Sequence, residues 1–277
     1  MTGKVVDMQP PVVLSIAGSD SGGGAGIQAD IRALNARHVF AATAITAVTA
    51  QNTTSVSAIE LMPDHIVAAQ IDAVLSDFAP RVVKTGMLGQ ASTVRLVANY
   101  AATGAFPYLV MDPVLVTTTG FSLMDSNGAG IIRDVLLPHC TLITPNVQEA
   151  QALLGENLPI ETVEDLIEIG QALLAYGPQA VLVKGGHTHE SMPERSPDVL
   201  LTKTTTRVFD GPRIKSNNDH GTGCSLASAI AAGVALGETL EQAIETAKTL
   251  VATAMESGAD WTLGHGRGPL DILGWNR

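Results

Sequence analysis

Cysteine is nearly absent from the chain: Cys140 and Cys224 are the only two in 277 residues, and they lie far apart in sequence. One bridge between them is an alternative, but two free thiols are the commoner arrangement in a low-cysteine chain of this size. Neither cysteine has a second ligand at metal spacing, and His187 with His189 does not make a zinc site alone. Positive charge is also scarce, with 16 Lys and Arg against 27 Asp and Glu and a formal net charge of −11. No basic cluster offers an electrostatic footprint for nucleic acid, so no nucleic-acid partner is expected. An anionic substrate therefore needs a local positive site, because the overall field repels it. Long hydrophobic runs are missing too. No stretch approaches the ~18 apolar residues of a membrane span. The short run Val12–Ala17 is followed at once by a glycine loop, which does not suit a secretory signal. The expectation is a soluble, cytoplasmic protein.

What the chain has is apolar and glycine-rich sequence, 45% hydrophobic with 27 glycines, enough to bury a sizeable core. Short apolar runs alternate with longer amphipathic ones. The runs predict strands at 12–17, 41–48, 82–85, 108–111, 142–144 and 180–184, with a β-rich stretch over 198–209. The amphipathic patterns predict helices at 26–37, 63–77, 91–103, 128–137, 147–154, 163–176, 224–235 and 240–256. Such alternation argues an α/β fold with a mostly parallel sheet covered on both faces. No repeat or linker divides it, so a single domain over 1–277 is expected, with 187–197 as a surface loop. In such sheets ligands bind at the carboxyl ends of the strands.

The polar and glycine-rich segments fall after these strands. Ala17 to Gly26 reads AGSDSGGGAG between a strand and a helix that contains Asp30. Its glycines let backbone approach a ligand closely, though the spacing is neither a Walker A nor a clean dinucleotide fingerprint. His220-Gly221-Thr222-Gly223-Cys224 precedes an apolar helix expected to begin near Ser225. Four successive N–H groups there form an anion pocket. A thiol in the first helical turn is expected to have a lowered pKa, suiting Cys224 to accept a proton. Asn146 and Glu149 sit three apart after Pro145. They read equally as a capping box or as ligands of hydrated Mg²⁺ and nucleotide phosphates. Lys184, before Gly185 and Gly186, reads either as a phosphate contact or as a snorkelling edge residue. Asp112 places a carboxylate at a strand end. The turn Lys84 to Gly89 carries Met87, suited to cover a flat ring, and the Gln51 amide offers a ring edge both donor and acceptor.

In order, the segments IAGSDSGGGAGIQAD, AVTAQNT, KTGMLG, MDPVLV, LITPNVQEA, VKGGH and DHGTGCSLASAIAA span about residues 12–260. As a set they resemble the hydroxymethylpyrimidine/phosphomethylpyrimidine kinase family of thiamine biosynthesis, within the ribokinase superfamily. The resemblance implies a ribokinase-like three-layer sandwich and two successive ATP- and Mg²⁺-dependent phosphorylations of a hydroxymethylpyrimidine. It implies ring contacts at Gln51, Gly18, Asp30, Met87 and Val114, and Mg²⁺ and phosphate organised by Asn146 and Glu149, the metal held through water. It further implies ATP contacts at Lys184 and Asp112, and an anion hole at Gly221 and Gly223, with Cys224 in place of the general-base Asp of sugar kinases. It implies a homodimer whose small-molecule partners are a heteroaromatic alcohol and ATP. Two departures stand out: no Pro follows Asp20 in the glycine loop, and Phe121 stands where a small or acidic residue is common. A pyridoxal or pyridoxine kinase and a non-catalytic pyrimidine-sensing binder are the competing readings. The first shares a flat ring with a hydroxymethyl group; the second has no use for Asn146, Glu149, Lys184 and Cys224 together.

Overall fold

A computed structural model describes residues 9–115, 128–157, 159–186 and 194–276. Alternation along the strands builds the architecture. In β1 (Val12–Asp20), Val13 faces one side of the sheet while Leu14 and Ile16 face the other. The same parity holds for Val82 against Val83 in β4 (Val82–Thr85) and for Val110 against Leu109 and Met111 in β5 (Leu109–Met111). It recurs for Leu142 against Ile143 in β6 (Leu142–Ile143) and for Leu182 against Val181 and Val183 in β7 (Ala180–Lys184). Successive side chains point to opposite faces, so both faces of these central strands are apolar and both need cover.

Helices supply it. α1 (Gly26–Ala36), α7 (Thr222–Ala235) and α8 (Leu240–Ser257) bury Leu34, Ile230 and Ile244 on one face. α2 (Asp64–Phe78), α3 (Ala91–Ala102), α5 (Val147–Leu154) and α6 (Val163–Leu174) bury Ile71, Val97, Leu153 and Leu173 on the other. The result is the three-layer sandwich expected from the sequence. α6 and α8 begin at Thr162 and Thr239, each closing a capping box, which satisfies N–H groups a helix start otherwise leaves open. The segment expected as one helix over 128–137 is instead a short α4 (Gly128–Ile131), a wide π turn over Ile132–Leu136 and a 3-10 turn at Leu137–His139. Pro138 lacks the N–H that would continue it.

The sheet order is β3-β2-β1-β4-β5-β6-β7-β8-β9. Pairs from β2 (Phe40–Gln51) across to β7 are parallel, while β8 (Asp198–Thr202) and β9 (Thr206–Phe209) add an antiparallel edge. At the opposite edge, β3 (Val56–Leu61) pairs antiparallel with β2 and was not expected as a strand. Neither of its faces is buried, so it carries no apolar alternation. The turn is set by Asn52, whose Oδ1 accepts from the N–H groups of Thr54 and Ser55, both at 2.9 Å. Among the described residues no helix is long and apolar enough to cross a membrane.

Candidate active site

The strands β1, β4, β5, β6 and β7 end side by side, and each delivers part of the site. β1 runs into the glycine loop through a register shift between Ala17 and Ser19, which turns Gly18 toward Met87: a Cβ at 18 would lie 3.1 Å from the Met87 methyl carbon. Met87 in turn packs with Ala47, Ile59 and Val114 in a small apolar cluster separate from the two cores. Gly18, Met87 and Val114 are thus together as expected. Ala47 and Ile59 join them unannounced, because only the hairpin pairing brings them there.

Two segments about 200 residues apart in sequence meet backbone to backbone. Gly221 has φ +86°, and a Cβ there would lie 1.9 Å from the Gly24 carbonyl oxygen. A Cβ at Gly24 would lie 2.3 Å from the His220 ring. Both positions need glycine for close approach, and Gly221 needs it for its conformation as well. His220–Cys224 does not follow a strand of the sheet, contrary to expectation. It is held against the glycine loop by this contact and by the C-terminal tail, where Gly268 O accepts from the His220 N–H at 3.1 Å.

α7 starts at Thr222, three residues before the expected Ser225, because Asp219 O accepts from both the Thr222 N–H (3.2 Å) and its hydroxyl (2.6 Å). The Thr222 N–H is therefore spent, and the expected array of four open donors is three. Those of Gly221, Gly223 and Cys224 have no acceptor among the described residues, and they lie at a helix N-terminus, where negative charge is favoured.

Beside this turn lies a chain of charges. Lys184 Nζ is 3.0 Å from Asp112 Oδ1 and 3.8 Å from Glu149 Oε2, and a Cβ at Gly223 would be 3.1 Å from the same Nζ. Asn146 bridges to Lys184 across the strand ends. Both readings of Asn146 and Glu149 coexist: the capping box is formed, with 2.8 Å bonds in each direction, and Glu149 still faces Lys184. Burial pushes the Glu149 carboxyl up to about 7, helped by the Asp112 charge and opposed by Lys184. Burial works the same way on Asp112, but Lys184 and Lys84 outweigh it and hold that carboxyl below its ordinary range.

The expected low-pKa thiol is not found. Burial pushes Cys224 up to about 12, and Asp112 and Asp30 add to the rise. Lys84 and the nearby Gly26 N–H pull the other way and do not prevail. The thiol is protonated, and Asp112 is the carboxylate beside it. A helix N-terminus lowers the pKa of a thiol that stays partly solvated; here burial outweighs it and two carboxylates add to the rise.

Asp30, expected as a ring contact, has both its oxygens taken up inside the fold. Lys84 Nζ bonds both its oxygens at 2.8 and 3.0 Å, and the hydroxyls of Ser15 and Ser228 donate to it at 2.6 and 2.7 Å. Both Asp30 and Lys84 are fully buried, so this pair lies beneath Cys224 as a support. Lys84→Met is expected to cost ~3–5 kcal/mol, because it leaves Asp30 as a buried charge without its cation. The double change with Asp30→Asn should recover much of that in urea unfolding, whereas additive losses would show the pair to be uncoupled.

Gln51 ends β2 with its amide near His220 Nε2 (3.2 Å), and that nitrogen is 3.0 Å from Asp20 Oδ2. Asp20, His220 and Lys84 were missed as site residues, although each stands inside a segment the sequence singled out. A cavity of about 300 Å³ adjoins this end of the site, bordered by Gly22, Arg32, Thr53, Trp261, Leu263 and Trp275. None of the phosphate-side residues lines it. Phe121 and residues 187–193 of the expected surface loop lie outside the described residues.

The donor set fits Mg²⁺ and a nucleotide. Among the described residues no group of three His, Cys, Asp or Glu forms a protein cage for a metal. One or two carboxylates beside a phosphate site are what Mg²⁺ ordinarily uses, the remaining positions going to water and phosphate.

Comparison with known proteins places this geometry. Residues 20–271 match the family described as phosphomethylpyrimidine kinase. The chain is 40% identical over 268 residues to the hydroxymethylpyrimidine/phosphomethylpyrimidine kinase of Haemophilus influenzae, covering 96% of this chain and 97% of that protein. It is 42% identical over 268 residues to the probable thiamine biosynthetic bifunctional enzyme, chloroplastic, of Oryza sativa subsp. japonica. That match covers 96% of this chain but 48% of the rice protein, so the chain spans about half the length of such bifunctional relatives. The structure of the Staphylococcus aureus pyridoxal kinase in complex with AMP-PCP and pyridoxal superposes with a TM-score of 0.86 at 29% identity, covering 97% of this chain and 96% of that one.

Proposed function

The chain belongs to the phosphomethylpyrimidine kinase family, and we propose that it moves the γ-phosphoryl group of ATP onto 4-amino-5-hydroxymethyl-2-methylpyrimidine. A second transfer, onto the monophosphate, gives the diphosphate used to make thiamine diphosphate. The observation that carries the reading is the joint placement of three open N–H groups, Lys184 and Cys224 beside the apolar Gly18–Met87–Val114 surface. The ring lies on that surface with its edge on Gln51, and its hydroxymethyl group points toward Cys224.

In this arrangement Lys184 meets the ATP phosphates, and the N–H groups of Gly221, Gly223 and Cys224 take the charge developing on the γ-phosphoryl oxygens. Asn146 and Glu149, with Asp112 nearby, would hold a hydrated Mg²⁺, which would neutralise phosphate charge. Cys224 receives the hydroxyl proton late in the transfer. Because its sulfur begins protonated and lies beside the Asp112 carboxylate, the sulfur's own proton passes to that carboxylate as the substrate proton arrives. The enzyme acts in the cytoplasm as a homodimer, with no nucleic-acid partner.

Pyridoxal kinase activity is the second reading, favoured by the fold shared with the S. aureus enzyme. An assay of ADP release with Mg-ATP and each alcohol side by side separates them. Turnover of the pyrimidine alcohol and its monophosphate is expected, with the pyridine slower. Equal or preferred use of pyridoxal would overturn the substrate assignment, and ADP release with neither would leave a non-catalytic binder.

Glu149 supplies a pH test that needs no substrate. Its folded pKa lies above its ordinary value of 4.5, so the fold holds this proton more tightly than the unfolded chain. The resulting stability is full below about 4.5 and lost as pH rises through about 7. Relative to wild type, Glu149→Gln should therefore gain in melting temperature between pH 5 and pH 8. Parallel melting curves would count against a raised Glu149.

A further inference from the structure

The Gln51 amide sits between two groups whose protons are already committed. Asp20 is an ionised acceptor, with Oδ1 taking the Gly22 N–H at 2.8 Å and Oδ2 taking the Ala25 N–H at 2.8 Å. Its 3.0 Å contact with His220 Nε2 is a hydrogen bond only if Nε2 carries the proton, because a carboxylate has none to give. Gln51 Nε2 is placed 3.2 Å from the same Nε2, donor facing donor, and turning the amide by 180° puts an acceptor there instead. On the other side, the single hydroxyl proton of Thr49 goes to Ser19 O at 3.0 Å in preference to the Gln51 amide at 3.3 Å. That leaves Thr49 Oγ1 lone pairs for an N–H donor. Two separate proton inventories favour the same turned amide, with its oxygen toward His220 and its nitrogen toward Thr49, the reverse of the placement with Nε2 at His220 and Oε1 at Thr49. The choice between the two amide ends is a matter of partners, since oxygen and nitrogen have nearly the same shape.

We infer that Asp20 and His220 are positioning residues that lock the Gln51 amide in this orientation, making Gln51 a specificity determinant for rings with a set donor and acceptor pattern. This rests on the kinase reading above and deepens it. A locked amide accepts a ring such as a 4-aminopyrimidine and rejects its 4-oxo counterpart, in which donor and acceptor trade places. A freely turning amide serves both. The backbone supports the lock: Ser21 Oγ donates to Gln51 O at 2.7 Å and accepts the Gln51 N–H at 2.8 Å. Gly24 leaves room for the imidazole, since a Cβ there would meet it at 2.3 Å.

The test has two arms. In wild-type protein, ¹⁵N NMR of the histidine side chains should show a proton on Nε2 of His220, whether the ring is neutral or an imidazolium. A bare Nε2, with the proton on Nδ1 alone, would overturn the assignment without reference to activity. In the second arm, kcat/KM is compared for the 4-amino and 4-oxo hydroxymethylpyrimidines in wild type and His220→Leu. The variant should lose ~10-fold or more of the discrimination, through KM more than kcat, because the transfer groups are untouched. Undiminished discrimination in a variant that melts like wild type would overturn the proposal. Failure of wild type to phosphorylate either ring would instead sink the kinase reading, and the NMR arm would still decide the amide.

Discussion

Cys224→Ala is expected to lower kcat by ~10²–10⁴, the usual worth of a positioned proton acceptor, while the KM for the ring alcohol changes little. The alanine keeps the backbone N–H of residue 224, so the anion site is retained and only the proton path is cut. The path matters because the thiol is not a ready-made base. With its pKa near 12, thiolate is a negligible fraction at neutral pH, and the sulfur can take a proton only by passing its own to Asp112. Asp112 is a poor acceptor at rest, held ionised by Lys184 and Lys84. The hand-over therefore follows phosphoryl transfer, when the substrate oxygen has become strongly acidic. Cys224→Ser, which keeps a proton that can be relayed, should recover part of the loss. Single-turnover rates with saturating Mg-ATP make the measurement, and a folded Cys224→Ala variant turning over at the wild-type rate would remove the thiol from the mechanism.

Sheet and helices were legible because the central strands are apolar on both faces and the helices keep their 3.6-residue pattern. β3 was not, since an edge strand with no buried face leaves no periodic trace; its pairing is written in the Asn52 turn instead. The segments of the site were legible one at a time, through glycines, a capping pair and lysines at strand ends. What sequence could not supply was their pairing in space. Asp30 looks like a site residue in its segment, and only the fold shows Lys84, Ser15 and Ser228 using up its oxygens. Cys224 looks activated by its helix, and only the fold shows the burial that reverses the sign, with Asp112 and Asp30 adding to it. His220 gains its meaning from Asp20, 200 residues away. Local geometry was readable where it depends on neighbours in sequence, and electrostatics was not, because it depends on neighbours in space.

Lys184→Met carries the second large effect, an expected loss of ~10²–10³ in kcat/KM for ATP, the range seen when one donor is taken from a developing phosphoryl or acyl charge. The lysine does more than touch phosphate. It is the cation between Asp112 and Glu149, at 3.0 and 3.8 Å, and it pulls both carboxyls toward ionisation. Without it, Glu149 rises further above its present value near 7 and is protonated at neutral pH, which weakens its hold on hydrated Mg²⁺. The variant should therefore need more Mg²⁺ as well as more ATP, and its Mg²⁺ requirement should ease as pH is raised from 7 to 9. Ring affinity, set at the Gln51 end, should be unchanged. A Lys184→Met enzyme with raised KM for ATP and a wild-type Mg²⁺ requirement would confine the lysine to phosphate contact and separate it from the carboxylates. Glu149→Gln offers the cross-check: if the two residues act through one charge network, the double variant loses less than the sum of the two single losses.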